Sequence, residues 1–136
     1  MVMTSKEIDM DIRTHKDISA ELCGVPVEFS PGRCVVAMKA IQAMAADDMG
    51  LVHGGFVFGM ADYAAMVAVN DPFVVLGSSE AKFLKPVKVG ESLTATAVVK
   101  EEAGKKRIVD VTVTRDGEDV LSGTFTCFVL EKHVLS

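Results

Sequence analysis

Two groups in the stretch GLVHGGFVFGMADYAAMVAVND, residues 50–71, have the chemistry of a reactive site. The first is Asp62, a carboxylate among residues that are otherwise almost all apolar or small. Burying an ionised carboxylate is costly unless it is paired or hydrogen-bonded, and the same desolvation raises its pKa and turns it into a usable base. A structural role is the alternative, with Asp62 bonded to a strand hydroxyl or a lysine, or facing solvent at a gap. The second group is His53-Gly54-Gly55, just where an apolar helix would begin. The first N–H groups of a helix lack internal partners and sit at its positive end, so Gly54 and Gly55 could stabilise a carbonyl oxygen gaining negative charge. A Gly-Gly pair also reads as a plain turn. His53 either shapes that turn or moves protons.

Spacing restricts how these groups cooperate. Gly54 and Asp62 are eight residues apart, which at about 1.5 Å per residue separates them by roughly 12 Å along one helix. They cannot grip one reacting atom. Two copies of the helix lying antiparallel across a two-fold axis would bring the N-terminus of one beside the Asp of the other, giving two equivalent sites.

The elements needed to hold such a helix are readable on either side of it. KDISAELCG suggests a short helix, and VPVEFS and RCVVAMKA suggest two strands joined through Pro31 and Gly32. The central helix is expected from Gly54 to Asn70. Beyond it, FVVLGSSEAKFLKP, ESLTATAVVKEE, RIVDVTVTR and VLSGTFTCFVLEK read as strands, the last two flanking the hairpin signal DGED. Runs of strands around one helix predict an α+β domain with an antiparallel sheet. A helix apolar on every side must be covered on every side. One sheet covers one side, which implies a second copy over the rest.

The segments VHGGFVFGMAD, EAKFLKPVKVGESLTATAVV and SGTFTCFVLEK together resemble the hot-dog-fold acyl-CoA thioesterases, especially the phenylacetic-acid-degradation type, over roughly Ile18 to Glu131. The resemblance implies a hot-dog fold, a five- or six-stranded antiparallel sheet wrapped around one long central helix, occupying residues 1–136 as a single domain. Residues 1–17 would form an N-terminal extension, helical or partly mobile. It also implies homodimers, commonly paired into tetramers, with an acyl-CoA substrate at the subunit interface. Gly54 would polarise the thioester carbonyl through its N–H, with Gly55 beside it. Asp62 of the partner chain would activate water or attack directly, and His53 would shape the glycine turn and touch the thioester region.

Two positions depart from relatives of this type. Asp47 stands six residues before the His where Asn is frequent, and Leu76 stands ten residues before Pro86 where Ser or Thr is frequent. Asp47 is nonetheless a candidate substrate contact, and Asp48 and Ser78 are alternative helpers. Phe56, Phe58, Met60, Tyr63 and Met66 would line an apolar pocket or serve as core.

Composition narrows the rest. With 49% hydrophobic residues the chain can build a core, and a formal net charge of −5 argues against a general nucleic-acid binder. The phosphates of coenzyme A must therefore meet a local basic cluster, either Lys82, Lys85 and Lys88 or Lys105, Lys106 and Arg107. Cys23, Cys34 and Cys127 form no CxxC pair, so no metal site is expected and a reducing compartment suits them. No cofactor beyond the coenzyme A of the substrate is expected. The charged N-terminus lacks a secretory pattern and Asp62 interrupts the one long apolar run, so a cytoplasmic protein with no membrane partner is expected. The competing readings are a non-catalytic acyl-CoA-binding or sensor domain of the same fold, and a dehydratase, whose His and acid spacing fits less well.

Overall fold

The computed structural model describes residues 11–136. Residues 1–10, most of the expected extension, lie outside them. The elements are helix α1 (Ala20–Cys23), strands β1 (Val25–Ser30) and β2 (Arg33–Lys39), a 3₁₀ turn (Gln42–Met44), helix α2 (Gly54–Val69), and strands β3 (Val74–Phe83), β4 (Ser92–Ala103), β5 (Lys106–Arg115) and β6 (Glu118–Val129). All strand pairs are antiparallel, in one six-stranded sheet of order β1-β2-β4-β5-β6-β3. This sheet packed against one central helix is the α+β hot-dog architecture.

Period-two alternation drives the sheet. Leu93, Ala95 and Ala97 of β4, Val109, Val111 and Val113 of β5, and Leu121, Phe125 and Cys127 of β6 are all buried, and most of the residues between them are less so. The small side chains of Ala95 and Ala97 let α2 lie close over the sheet, where it touches β4, β2 and β5. Asp116 and Gly117 both have positive φ (51° and 78°), as a two-residue turn twisted to match its strands requires.

Coverage of α2 differs along its length. Every residue from Tyr63 to Ala68 is buried within one chain, because α1 and the segment 11–19 close over the side that the sheet leaves open. The expectation that everything the sheet leaves open on the helix needs a second copy is corrected for this C-terminal half, which the chain covers by itself, and the N-terminal half is less covered. There Gly55 is exposed, and Phe56, Phe58, Gly59 and Asp62 are only partly covered. Residues 11–19 are not helical.

Candidate active site

The α2 N-terminus is set by the loop before it. His53, extended at φ −64° and ψ 130°, anchors its N–H to the Met44 carbonyl at 2.9 Å, and its own carbonyl accepts from Phe56 at 3.0 Å. Gly54 and Gly55 then enter the helix with N–H groups that precede any intrahelical acceptor. Space explains Gly54, since a Cβ there would lie 3.1 Å from Phe83 Cε1. The FLKP segment thus closes over the helix start, forming a groove of about 320 Å³ whose lining includes Gly54, Val57, Phe83 and Lys85. His53 is exposed, packs edge-on to Phe56 with centroids 6.1 Å apart, and shares neither this groove nor the Asp62 cavity.

Two turns along α2, Asp62 opens into a different cavity of about 390 Å³. Its Oδ1 is buried and accepts no hydrogen bond from any described residue. Desolvation pushes its pKa up from 3.8 to about 6. Leaving such an atom unpartnered costs about 1–3 kcal/mol, which a donor from outside the chain would recover. The cavity wall comes from β3 and the turn before it (Phe73 to Leu76), from Met66, and from the chain segments carrying Thr14, His15 and His133.

Of the apolar candidates, Met60, Tyr63 and Met66 are core, with Met66 also reaching the cavity, and Phe58 packs on Phe125 at a centroid distance of 5.3 Å. Leu76 lies in the cavity wall beside a bulge in the β3–β6 ladder at Gly77. Asp48 and Ser78 are exposed and outside the cavity. Asp47 accepts the N–H groups of Met49 and Leu51 at 3.0 and 3.1 Å, a turn-building role in the loop before His53. Thr14, His15 and His133 emerge only with the fold. Thr14 and His15 sit in a polar segment with no periodicity, far along the chain from Asp62, and no sequence signal points to them.

The two basic clusters are separated. Lys82, Lys85 and Lys88 are exposed, and of the three Lys85 lies in the wall of the Gly54 groove, 3.5 Å from Glu118. At the β4–β5 turn Lys105 pairs with Glu131 at 4.0 Å, Arg107 pairs with Glu102 at 3.7 Å, and Lys106 is exposed. Burial pushes the Cys34 and Cys127 thiols up to about 12, so both are inert at neutral pH. Among the described residues, no cluster of His, Cys, Asp or Glu has metal-site geometry, and no helix is long and apolar enough to cross a membrane.

The helix that carries Asp62 and the two glycines lies within residues 49–122, more than half of the chain, which match the thioesterase superfamily, and the chain belongs to that family. A solved structure of protein PH1136 from Pyrococcus horikoshii is 54% identical and superposes with a TM-score of 0.92, covering 93% of this chain and 98% of that one. A variant of the phenylacetic acid degradation protein PaaI from Thermus thermophilus is 29% identical (TM-score 0.74, covering 82% and 97%). A Streptococcus mutans protein solved with bound acetyl-CoA is 27% identical (TM-score 0.75, covering 87% and 97%). Among curated relatives, methylthioribose-1-phosphate isomerase of Aquifex aeolicus is 50% identical over 123 residues, which are 90% of this chain but 27% of that protein. Transcription factor FapR of Caldanaerobacter subterraneus is 27% identical over 119 residues, 87% of this chain and 60% of that protein. The chain thus spans less than two thirds of these two longer proteins.

Proposed function

We propose that the chain is a cytoplasmic acyl-CoA thioesterase of the phenylacetic-acid-degradation type, working as a homodimer, or a dimer of dimers, with two shared sites. One observation carries this reading: Gly54 and Asp62 lie on one helix but line separate cavities with no wall residue in common. Neither is a complete site. Antiparallel pairing of two α2 helices through their uncovered N-terminal halves would set each Asp62 against Gly54 of the partner subunit. The β3 edge, exposed from Gly77 to Glu80, offers unpaired backbone groups for the sheets to join.

In the shared site, the thioester oxygen takes a hydrogen bond from the Gly54 N–H at the positive end of α2. Asp62 accepts a proton from a water molecule as the water oxygen bonds to the carbonyl carbon. The C–S bond then breaks, the electron pair leaves on sulfur, and the proton held by Asp62 goes to the departing thiolate. Direct attack by Asp62 would instead give an anhydride that water opens. A carboxyl with a pKa of about 6 is ionised at neutral pH and basic enough for either step. Lys85 lies in the wall of the Gly54 groove, with Lys82 and Lys88 three residues to either side, whereas Lys105, Lys106 and Arg107 line neither that groove nor the Asp62 cavity, so the first cluster is the better placed for the coenzyme A phosphates. The relatives solved as PaaI and with acetyl-CoA support this reading.

The similarity to FapR favours a second reading, a ligand-binding domain without turnover. A hydrolysis screen over short, long, aromatic and hydroxylated acyl-CoAs, with Asp62→Asn alongside, separates the two. The thioesterase reading expects turnover that falls by at least about a hundredfold in the variant while binding persists. Binding without turnover of any of these in the wild type would select the second reading. Sedimentation at micromolar concentration should show no folded monomer.

A further inference from the structure

Resting on the thioesterase reading, we propose that His15 is a catalytic residue of the Asp62 site, holding through its Nε2–H the water that Asp62 deprotonates. Leu76, facing the cavity from β3, brings only an apolar wall to it. The attacking water still needs a second polar partner, since Asp62 alone fixes neither its place nor its lone pair. Besides Asp62, the side chains lining the cavity that can hydrogen-bond water through nitrogen or oxygen are Thr14, His15 and His133. His133 is exposed in the C-terminal segment, and its Nδ1 accepts the Leu135 N–H at 3.0 Å.

His15 is held more firmly. Its Nδ1 lies 2.6 Å from Oγ1 of the buried Thr14, and its ring sits 6.3 Å from that of Tyr63, the residue after Asp62. Its backbone has φ of +53°, in the left-handed region that non-glycine residues seldom occupy. Arg13, two residues earlier, is tied by its N–H to Asn70 at the end of α2. Clamp, turn and Thr14 together place one imidazole at the mouth of the Asp62 cavity.

The chemistry follows from the Thr14 bond. When the Thr14 hydroxyl donates to Nδ1, the ring proton resides on Nε2, and no described residue bonds that nitrogen. His15 is surface-exposed as a residue, yet desolvation of its ring lowers its pKa, which keeps it neutral at pH 7. A neutral donor binds the water oxygen without adding a positive charge. The water then gives one proton to Asp62 and directs a lone pair at the thioester carbon. The titratable groups that face this pair are Tyr63 on α2, Cys23 on α1, Cys127 on β6, His133, and Lys16, which lines a neighbouring pocket with His15 and Tyr63. Burial holds the two thiols and the phenol protonated.

The test combines a kinetic and a substrate-free measurement. In folded His15→Ala, kcat for a hydrolysed acyl-CoA should fall at least about tenfold with KM little changed, and Thr14→Val should fall in the same direction. Added imidazole should restore part of the His15→Ala loss, which a structural role would not allow. The acidic limb of the rate should remain, because it belongs to Asp62. Nitrogen-15 shifts of the His15 ring in the free wild-type protein should report a neutral ring protonated on Nε2 at pH 7. An unchanged kcat, a loss confined to KM, or a loss that imidazole leaves untouched would overturn the proposal, as would a ring protonated on Nδ1 or on both nitrogens. If the wild type hydrolyses no acyl-CoA, the thioesterase reading fails, and the ring measurement still decides whether His15 offers Nε2–H to the cavity.

Discussion

Asn70 and Arg13, 57 residues apart in sequence, are joined by a 2.7 Å hydrogen bond from the Arg13 N–H to Asn70 Oδ1. The same side chain donates through Nδ2 to the Asp11 carbonyl at 2.7 Å. Asn70 caps α2 in the left-handed conformation (φ 55°), with its own N–H on the Met66 carbonyl at 2.8 Å. One residue therefore ends the helix that carries Asp62 and docks the segment that carries His15.

Replacing Asn70 separates these two jobs. Asn70→Ala should lose about 2–3 kcal/mol of stability, from two hydrogen bonds at about 1 kcal/mol each and a left-handed backbone that costs alanine about 1 kcal/mol more. Asn70→Gly keeps the backbone preference and should lose less. Both should speed amide exchange in residues 11–15. Denaturant unfolding of the two variants checks this, and values within about 0.5 kcal/mol of wild type would remove the clamp from the account.

Asp62 should leave its mark on stability as well as on rate. Its folded pKa of about 6 lies above the ordinary 3.8, so between these values the folded chain binds a proton that the unfolded chain has released. Stability contributed at this site must then fall as pH rises from about 4 to 6 and level off above. About two pKa units correspond to roughly 3 kcal/mol, an upper value that a partner's donor to Oδ1 would reduce. Asp62→Asn cannot titrate. Unfolding free energies at fixed protein concentration should therefore show the variant gaining on the wild type from pH 4 to 7, and parallel profiles would contradict the raised pKa.

The strands and the central helix were legible to within a few residues because their signals are local. Alternation in Leu93, Ala95 and Ala97, the Asp116-Gly117 turn, and an apolar run entered through two glycines each declare an element without reference to anything distant. The separation of Gly54 from Asp62 was also legible, since helix rise alone requires it. The docking of residues 11–19 was not. That segment is mostly polar, and it is held by hydrogen bonds to Asn70 and by two isolated apolar contacts, Ile12 and Ile18, too few to make a periodic pattern. For the same reason the sequence did not show that the chain itself covers Tyr63 to Ala68, as that covering involves the same segment. Leu76 was visible as an unusual residue at its position, and only the fold shows that it lines the same cavity as Asp62.

Gly54→Ala should divide activity from folding. Alanine is the better helix former, by up to about 1 kcal/mol, but its methyl would meet the Phe83 ring at 3.1 Å. Phe83 is 58% exposed and can swing aside. The expected result is a melting temperature close to wild type, with kcat/KM down at least about tenfold because the displaced ring and added methyl crowd the Gly54 N–H. Full activity in a folded variant would place the thioester oxygen elsewhere.

Leu76→Thr tests whether the wall opposite Asp62 tunes its basicity. Leucine brings no donor to a cavity in which Oδ1 is unpartnered, and desolvation holds the carboxyl near 6. A threonine hydroxyl that donates to the ionised carboxylate favours the charged form and must lower the pKa. The acidic limb of kcat/KM against pH should accordingly move from about 6 in the wild type toward the ordinary 3.8 in Leu76→Thr. Leu76→Ala removes similar packing and adds no donor, so its limb should stay near 6. Both variants lose apolar contacts of a half-buried side chain, at a cost of about 1–2 kcal/mol each, so a difference between them isolates the hydroxyl. Identical limbs in the two variants would show that position 76 shapes the cavity without reaching the carboxylate.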